Sequence, residues 1–176
     1  MRKRLLALAA AAAPLVSLTI GIAPANADST MTNIAVVFYG GAYCLDIPGD
    51  NAVVGQALQA WQCNGTDAQV WNYIKTDSYH FELQSKTNTA LCANDWQGGD
   101  VTGNDIKLYY CNGDADGTWN WVPSYWLNPI QPRSALNNCL NIWGGLANGN
   151  PAKLYPCSKD DNETVLVPQA PWPPAP

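Results

Sequence analysis

The sequence predicts an all-β fold in which three similar units close about a pseudo-threefold axis. The cysteines fall into three evenly spaced pairs, short runs of alternating polar and apolar residues recur around them, and no long 3.6-residue apolar period follows the first 27 residues. One such unit could not bury its own apolar face, whereas three packed together could. The length of 176 residues suits one domain of this kind.

The six cysteines mark the three copies of the repeat. They fall at positions 44 and 63, 92 and 111, and 139 and 157, so the separations are 19, 19 and 18 residues. Six cysteines allow 15 pairings in principle. The repetition selects one of them, namely Cys44–Cys63, Cys92–Cys111 and Cys139–Cys157. Each disulfide closes a loop of about 20 residues, which contributes about 3 kcal/mol in the chain-entropy account.

The residues between the cysteines repeat as well. The copies open with CLDI, CAND and CLNI and close with LQAWQC, IKLYYC and AKLYPC. Each closing run alternates as a half-buried strand does: in the first copy Leu58 and Ala60 share one face, and Gln59 and Trp61 share the other. In every copy an aromatic residue therefore lies on the polar face.

Strand-like runs also lie on both sides of each cysteine pair. They precede the pairs at 34–39, 79–84 and 125–130 and follow them at 70–74, 118–122 and 164–167. With the opening and closing runs, this predicts four short strands per copy. Five apolar residues of these runs are predicted to lie in the shared core, namely Leu45, Leu91, Leu140, Trp71 and Trp119.

The first 27 residues have the pattern of a secretory signal peptide. A basic start, Met1–Arg4, precedes an apolar run, Leu5–Ile22, and the small residues of Ala25–Ala27 form a cleavage site. An uncleaved membrane anchor is the alternative, because the run is nearly long enough to span a bilayer. Pro14 and the cleavage site argue against an anchor. We therefore predict secretion without membrane insertion.

Composition and charge exclude several functions. The formal net charge is −5, and three of the nine basic residues lie within the first 27, so the rest of the chain has no basic patch for nucleic acid. An even number of cysteines in an exported chain favours disulfides. His80 is the sole histidine and no CxxC pair occurs, so neither a metal site nor a cofactor is predicted.

Three copies of a C-x-D-like and a Q-x-W-like element, in register with matched cysteine pairs, resemble the ricin B-type lectins, also classed as family 13 carbohydrate-binding modules. The resemblance implies a β-trefoil of three pseudo-repeats, with four strands and one disulfide each. It places the lectin domain at 28–168, with repeats at about 32–78, 79–124 and 125–168. The Pro-rich tail at 169–176 lies outside it.

The resemblance also implies a sugar site in each copy, and the first copy matches the family pattern best. Asp46 would accept hydrogen bonds from two sugar hydroxyls and Trp61 would stack on the ring. Gln69 would hold the carboxylate in position, and Gln59 would add a donor or steady the ring. The departure is Ala68, where family sites often carry Asn; a neighbour such as Asn64 or Asp67 would have to replace that bond.

The other two copies carry amides and tyrosines at the matching positions. Their candidate sugar-binding residues are Asn94, Tyr109, Asn141, Tyr155 and Asn162. An amide lacks the charge that strengthens a hydrogen bond to a carboxylate, so these copies are predicted to be mainly scaffold. Trp143, in a Gly-rich loop, is an alternative ring for the third copy.

Three functional classes remain in comparison. A secreted lectin that binds galactose- or xylose-type sugars or polysaccharides explains an aromatic residue at one place in each copy. A trefoil that binds a protein, as a protease inhibitor does, is compatible with the fold, but the sequence contains no marked reactive loop. A glycosidase would need two opposed carboxylates and a cleft, and the chain holds only two glutamates, Glu82 and Glu163. We therefore predict a carbohydrate-binding protein without catalysis.

Overall fold

Short β-strands make up most of the ordered chain. The structure is a computed structural model and describes residues 31–40, 42–122 and 128–166. The predicted signal peptide and Pro-rich tail lie outside the described residues. The strands in chain order are β1 (Met31–Ala35), β2 (Val37–Phe38), β3 (Tyr43–Asp46), β4 (Gln59–Gln62), β5 (Val70–Lys75), β6 (His80–Ser85), β7 (Leu91–Asp95), β8 (Ile106–Tyr110), β9 (Trp119–Trp121), β10 (Asn128–Pro132), β11 (Asn138–Ile142), β12 (Ala152–Pro156) and β13 (Thr164–Leu166).

The first strand of the first copy is interrupted, which gives thirteen strands among the described residues where twelve were predicted. The break lies at the fully buried Val36, whose carbonyl accepts a hydrogen bond from the Leu45 amide at 2.9 Å. Before the break β1 pairs with β5, and after it β2 pairs with β3 and β13. Counted as one strand, β1 and β2 restore the predicted four strands per copy.

Six strands form a closed barrel. The antiparallel order is β1, β5, β6, β9, β10, β13 and β2, and it closes because β1 and β2 are one run of chain. Closure removes the exposed sheet edges that an open sheet would leave. The first and last strands of each copy therefore supply the barrel.

The middle strands of each copy form three hairpins, β3–β4, β7–β8 and β11–β12. Isolated bridges join each hairpin to the next in a ring, namely Ala57 to Lys107, Asp105 to Lys153, and Gln59 to Pro151. A six-stranded barrel with a cap of three hairpins is a β-trefoil, so the predicted fold is confirmed.

The predicted core is confirmed. Leu45, Leu91, Leu140, Trp71 and Trp119 are all buried. Each tryptophan also ties the barrel to a hairpin through its indole N–H. Trp71 Nε1 donates to the Leu45 carbonyl at 3.2 Å, and Trp119 Nε1 donates to the Ala93 carbonyl at 2.9 Å. The equivalent position of the third copy is the buried Val165, which has no such donor.

The three predicted disulfides are present, and no cysteine is free. Each joins the beginning of a hairpin to the residue just after it, so the hairpin and its long loop become one closed unit. Among the described residues, no helix has the length and apolar character to span a bilayer.

Candidate functional site

The register of the first hairpin brings together the side chains predicted for the first site. Asp46 lies opposite Gln59, and Cys44 lies opposite Trp61. Cross-strand partners project to the same face of a hairpin, and the next pair along lies within about 8 Å. Asp46, Gln59 and Trp61 therefore share one face. The Trp61 ring is 38% exposed, whereas Asp46 is only 5% exposed.

Two amide groups hold the Asp46 carboxylate from both sides. Gln59 Nε2 donates to Oδ1 at 2.7 Å, and Gln69 Nε2 donates to Oδ2 at 3.1 Å. A carboxylate has about four acceptor positions, so each oxygen keeps capacity for a further donor. The group is fixed in orientation and can still accept hydrogen bonds from two hydroxyls.

Gln69 is fixed in turn by the backbone around the disulfide. Its Nε2 also donates to the Gln62 carbonyl at 3.0 Å, and its Oε1 accepts from the Asn64 amide at 2.8 Å. The side chain comes from a 3-10 turn, Asp67–Gln69, that follows the hairpin. The Ile47 amide donates to the Ala68 carbonyl at 3.0 Å, which joins this turn to the end of β3.

The neighbours of Ala68 are engaged elsewhere. Asn64 Oδ1 accepts from the backbone and hydroxyl of Thr66 at 2.9 and 2.8 Å. Asp67 forms an ion pair with Lys86 at 3.0 Å. Of the two predicted substitutes for the missing asparagine, Asn64 therefore has its amide nitrogen to offer a sugar, and Asp67 is tied to a lysine.

In the second copy the amide that replaces Asp46 is turned toward the backbone. Asn94 lies opposite Lys107, and Cys92 lies opposite Tyr109. In the orientation that suits its neighbours, the Asn94 amide donates to the Asp95 carbonyl at 2.9 Å and accepts from the Gly117 amide at 3.2 Å. Asn94 is buried and these bonds satisfy it, so it acts here as an internal strut.

In the third copy the carboxylate and the amide have exchanged places. Asn141 occupies the position of Asp46, and Glu163 occupies that of Gln69. Asn141 Nδ2 donates to Glu163 Oε2 at 3.2 Å, and Asn162 Nδ2 donates to Asn141 Oδ1 at 3.2 Å. Burial raises the pKa of Glu163 above its ordinary value. Asn141 therefore has its oxygen and its nitrogen engaged within the protein.

Two lysines stand where the first copy has Gln59. Lys107 and Lys153 both pair with Asp105, Lys107 at 3.3 Å, so one carboxylate joins the second and third copies. The hydrogen bond from Lys153 holds the pKa of Asp105 below its ordinary value. Each ammonium also lies over an indole, Lys107 at 5.2 Å from the Trp96 ring and Lys153 at 5.4 Å from the Trp143 ring.

Sequence reasoning missed Trp96 and Asp105. A signal for Trp96 was present, since a tryptophan follows the first cysteine by four residues in both the second and the third copy, at Trp96 and Trp143. Both rings make edge contacts with the tyrosine of their own copy, Trp96 with Tyr109 at 5.9 Å and Trp143 with Tyr155 at 6.1 Å. The first copy has Pro48 at this position and no such pair.

One group of potential metal ligands occurs among the described residues. The ligand atoms of Cys139, Cys157 and Glu163 lie within 4.8 Å of one another. Both sulfurs belong to a disulfide, so they are not thiolates that could bind a metal.

Comparison with known families supports the lectin resemblance. A family model described as a ricin-type β-trefoil lectin domain matches residues 32–122. The chain therefore belongs to the ricin-type β-trefoil lectin family. Membership supports carbohydrate binding as its general function. No curated protein matches the sequence.

Solved structures share the fold at low identity. A designed threefold-symmetric protein, ThreeFoil, matches with TM-score 0.71 and 15% identity over 80% of this chain and 98% of its own. An exo-β-1,3-galactanase of Clostridium thermocellum matches with TM-score 0.70 and 14% identity over 78% of this chain, but only 30% of its own. The C-half of an earthworm R-type lectin, in complex with GalNAc, matches with TM-score 0.57 and 18% identity over 78% of this chain and 98% of its own.

Proposed function

We propose that this protein is a secreted lectin that binds galactose- or xylose-type sugars or polysaccharides through the first copy. The observation that carries the proposal is the Asp46 carboxylate, held by Gln59 and Gln69 on the same hairpin face as the exposed Trp61 ring. The two amides orient the carboxylate before a ligand arrives, which lowers the entropy lost on binding.

The chemistry of this group suits a pyranose. The carboxylate accepts hydrogen bonds from two adjacent hydroxyls, and charge-assisted bonds are about twice as strong as neutral ones. The indole covers the apolar C–H face of the ring. A single shallow site of this kind binds near the millimolar range, or about −4 kcal/mol.

The second and third copies support the proposal by contrast. Asn94 and Asn141 occupy the position of Asp46, and both are engaged by internal hydrogen bonds. Tyr109 and Tyr155 keep an exposed ring beside them. These copies offer stacking with no open carboxylate, so we assign the directed hydrogen bonds to the first copy alone.

Export is part of the proposal. The pattern of residues 1–27 predicts a signal peptide, and three disulfides suit an oxidising compartment. The galactanase likeness adds a glycosidase-associated module as a second setting for such a domain, since that enzyme is much longer than its matching part.

The test is tryptophan fluorescence and calorimetry against a panel of galactose, xylose and their polymers. Asp46→Ala and Trp61→Ala are each expected to weaken binding at least tenfold, while Asp46→Asn gives an intermediate loss because an amide still offers one acceptor. Asn94→Ala serves as the matched control and leaves binding by the first copy unchanged.

Other outcomes separate the alternatives. Binding that survives both Asp46→Ala and Trp61→Ala contradicts the assigned site. No response to any sugar favours a protein partner of the protease-inhibitor kind. Polysaccharide hydrolysis that copurifies with the protein contradicts the prediction that it is not an enzyme.

A further inference from the structure

We propose that the second copy carries an aromatic platform, formed by Trp96, Tyr109 and Tyr110, that binds several consecutive units of a polysaccharide chain. This inference rests on the proposed carbohydrate-binding function and adds a second, chain-recognising surface to it. It differs from the first site in chemistry, because stacking dominates it and no carboxylate directs the ligand.

The three rings form a continuous exposed row. The Trp96 and Tyr109 ring centroids lie 5.9 Å apart, and those of Tyr109 and Tyr110 lie 5.5 Å apart. All three are more than a third exposed, Tyr110 by 56%. The row is particular to this copy, since the position of Tyr110 is Gln62 in the first copy and Pro156 in the third.

Trp96 is held rigidly by its surroundings. A Cβ at Gly55 would lie 3.4 Å from the Trp96 ring, so the indole packs directly over the backbone of the first copy. The Lys107 ammonium lies 5.2 Å from the ring centroid, and Tyr109 contacts the ring from a third direction. The ring nevertheless remains 38% exposed. A stacking surface that is already ordered loses little entropy when a ligand binds.

The occupant we assign is a soluble, twisted glycan chain. The ring planes turn by 80° between Trp96 and Tyr109 and by 67° between Tyr109 and Tyr110. Successive sugar rings of a twisted chain also turn relative to one another, whereas a flat crystalline surface would need coplanar rings. Asp105 and Lys107 beside the row supply polar partners for hydroxyl groups.

The engaged amide of this copy explains why a chain is favoured over a single sugar. Asn94 is bonded to the backbone, so one pyranose here would gain stacking and little directed hydrogen bonding. Stacking on one ring gives a weak contact, and a row of rings adds such contacts along one ligand. Affinity at this surface should therefore rise with the length of the chain.

The experiment compares xylose, xylotriose, xylohexaose and soluble xylan, with the corresponding galactan series, on the full exported chain by calorimetry. Wild-type affinity is expected to increase about tenfold or more from one unit to six. Tyr110→Gln installs the residue of the first copy, and Trp96→Ala removes the held ring. Each is expected to abolish most of that increase, about three- to tenfold, on the scale of one aromatic contact.

Tyr79→Gln is the matched control, because Tyr79 is 69% exposed and none of the ring contacts of the platform involves it. It should leave the dependence on chain length unchanged. Because Trp96→Ala could perturb folding, thermal melts accompany each variant, and the surface variant Tyr110→Gln keeps the test decisive.

Four results would count against the platform. The first is chain-length dependence that Tyr110→Gln leaves intact. The second is retention on crystalline cellulose in place of soluble xylan. The third is concentration-dependent self-association that Tyr110→Gln removes, which would assign the surface to a second copy of the protein. Binding to no chain of any length would contradict the first site as well, whereas loss of monosaccharide binding in Asp46→Ala would uphold the first site by itself.

Discussion

At the scale of single residues, two buried aspartates have opposite surroundings. Asp46 accepts hydrogen bonds from two glutamine amides. Asp95 is 1% exposed, and neither of its oxygens has a hydrogen-bond partner among the described residues. Desolvation by burial, together with the nearby charges of Asp116 and Asp100, raises the pKa of Asp95 to about 6. A fixed carboxylate suits a binding site, whereas an unpaired one costs stability.

This cost predicts a dependence of stability on pH. The folded pKa of Asp95 lies above its unfolded value, so its stabilising contribution is complete below about pH 4 and is lost as the pH rises through about 6. Asp95→Asn should therefore raise the free energy of unfolding at pH 7.5 by up to about 3 kcal/mol and change it little at pH 4. Urea denaturation at both pH values measures the difference. The exposed Asp161→Asn is the control, and an equal effect of Asp95→Asn at both pH values would contradict the assignment.

At the scale of elements, the hairpins keep one shape while their polar side chains differ. The first copy has a carboxylate on the hairpin and an amide on the following turn, and the third copy has the reverse arrangement. The hydrogen bond between hairpin and turn is preserved in both. This bond joins the cap to the barrel, whereas the position of the carboxylate decides whether a ligand can reach it.

The exchange predicts coupling between Asn141 and Glu163. Asn141→Asp would place a second carboxylate against the buried Glu163 and should destabilise the fold by about 1–3 kcal/mol at neutral pH. Adding Glu163→Gln recreates the polarity of the first copy and should restore most of that loss. Urea denaturation of both single variants and the double variant gives the coupling energy. Additive effects would show that the two side chains do not interact.

At the scale of the whole molecule, three hairpins and a closed barrel depend on three disulfides. Each closes a loop of about 20 residues and contributes about 3 kcal/mol in the chain-entropy account. Together they amount to about 9 kcal/mol, against a typical domain stability of 5–15 kcal/mol. The cross-links therefore carry much of the stability of a chain built from short strands.

Reduction should accordingly unfold the protein near physiological temperature. We expect the cooperative thermal transition seen in oxidised protein to disappear at 37 °C once the cysteines are reduced and alkylated, as followed by near-UV circular dichroism. Oxidised protein treated with the alkylating reagent alone is the control. A reduced chain that melts cooperatively within a few degrees of the oxidised one would show that packing alone stabilises the fold.

Spacing and alternation along the chain determined the architecture. Three cysteine pairs at equal separation, with alternating runs between them, predicted the disulfides, the four strands per copy and the buried core, because these features depend on local periodicity. The same periodicity placed Asp46 and Trp61 at matching positions of one hairpin. The bounds of the domain and the roles of the site residues stay predictions.

Only the tertiary structure decided how the polar groups are engaged. Whether Asn94 and Asn141 face a ligand or the protein depends on atoms such as the Gly117 amide and the Glu163 carboxylate, which lie more than 20 residues away. The meeting of Trp96 with Gly55 and of Lys153 with Asp105 likewise joins different copies. A periodic pattern fixes which face a side chain occupies, but its hydrogen-bond partners are set by distant segments that only the closed barrel brings together.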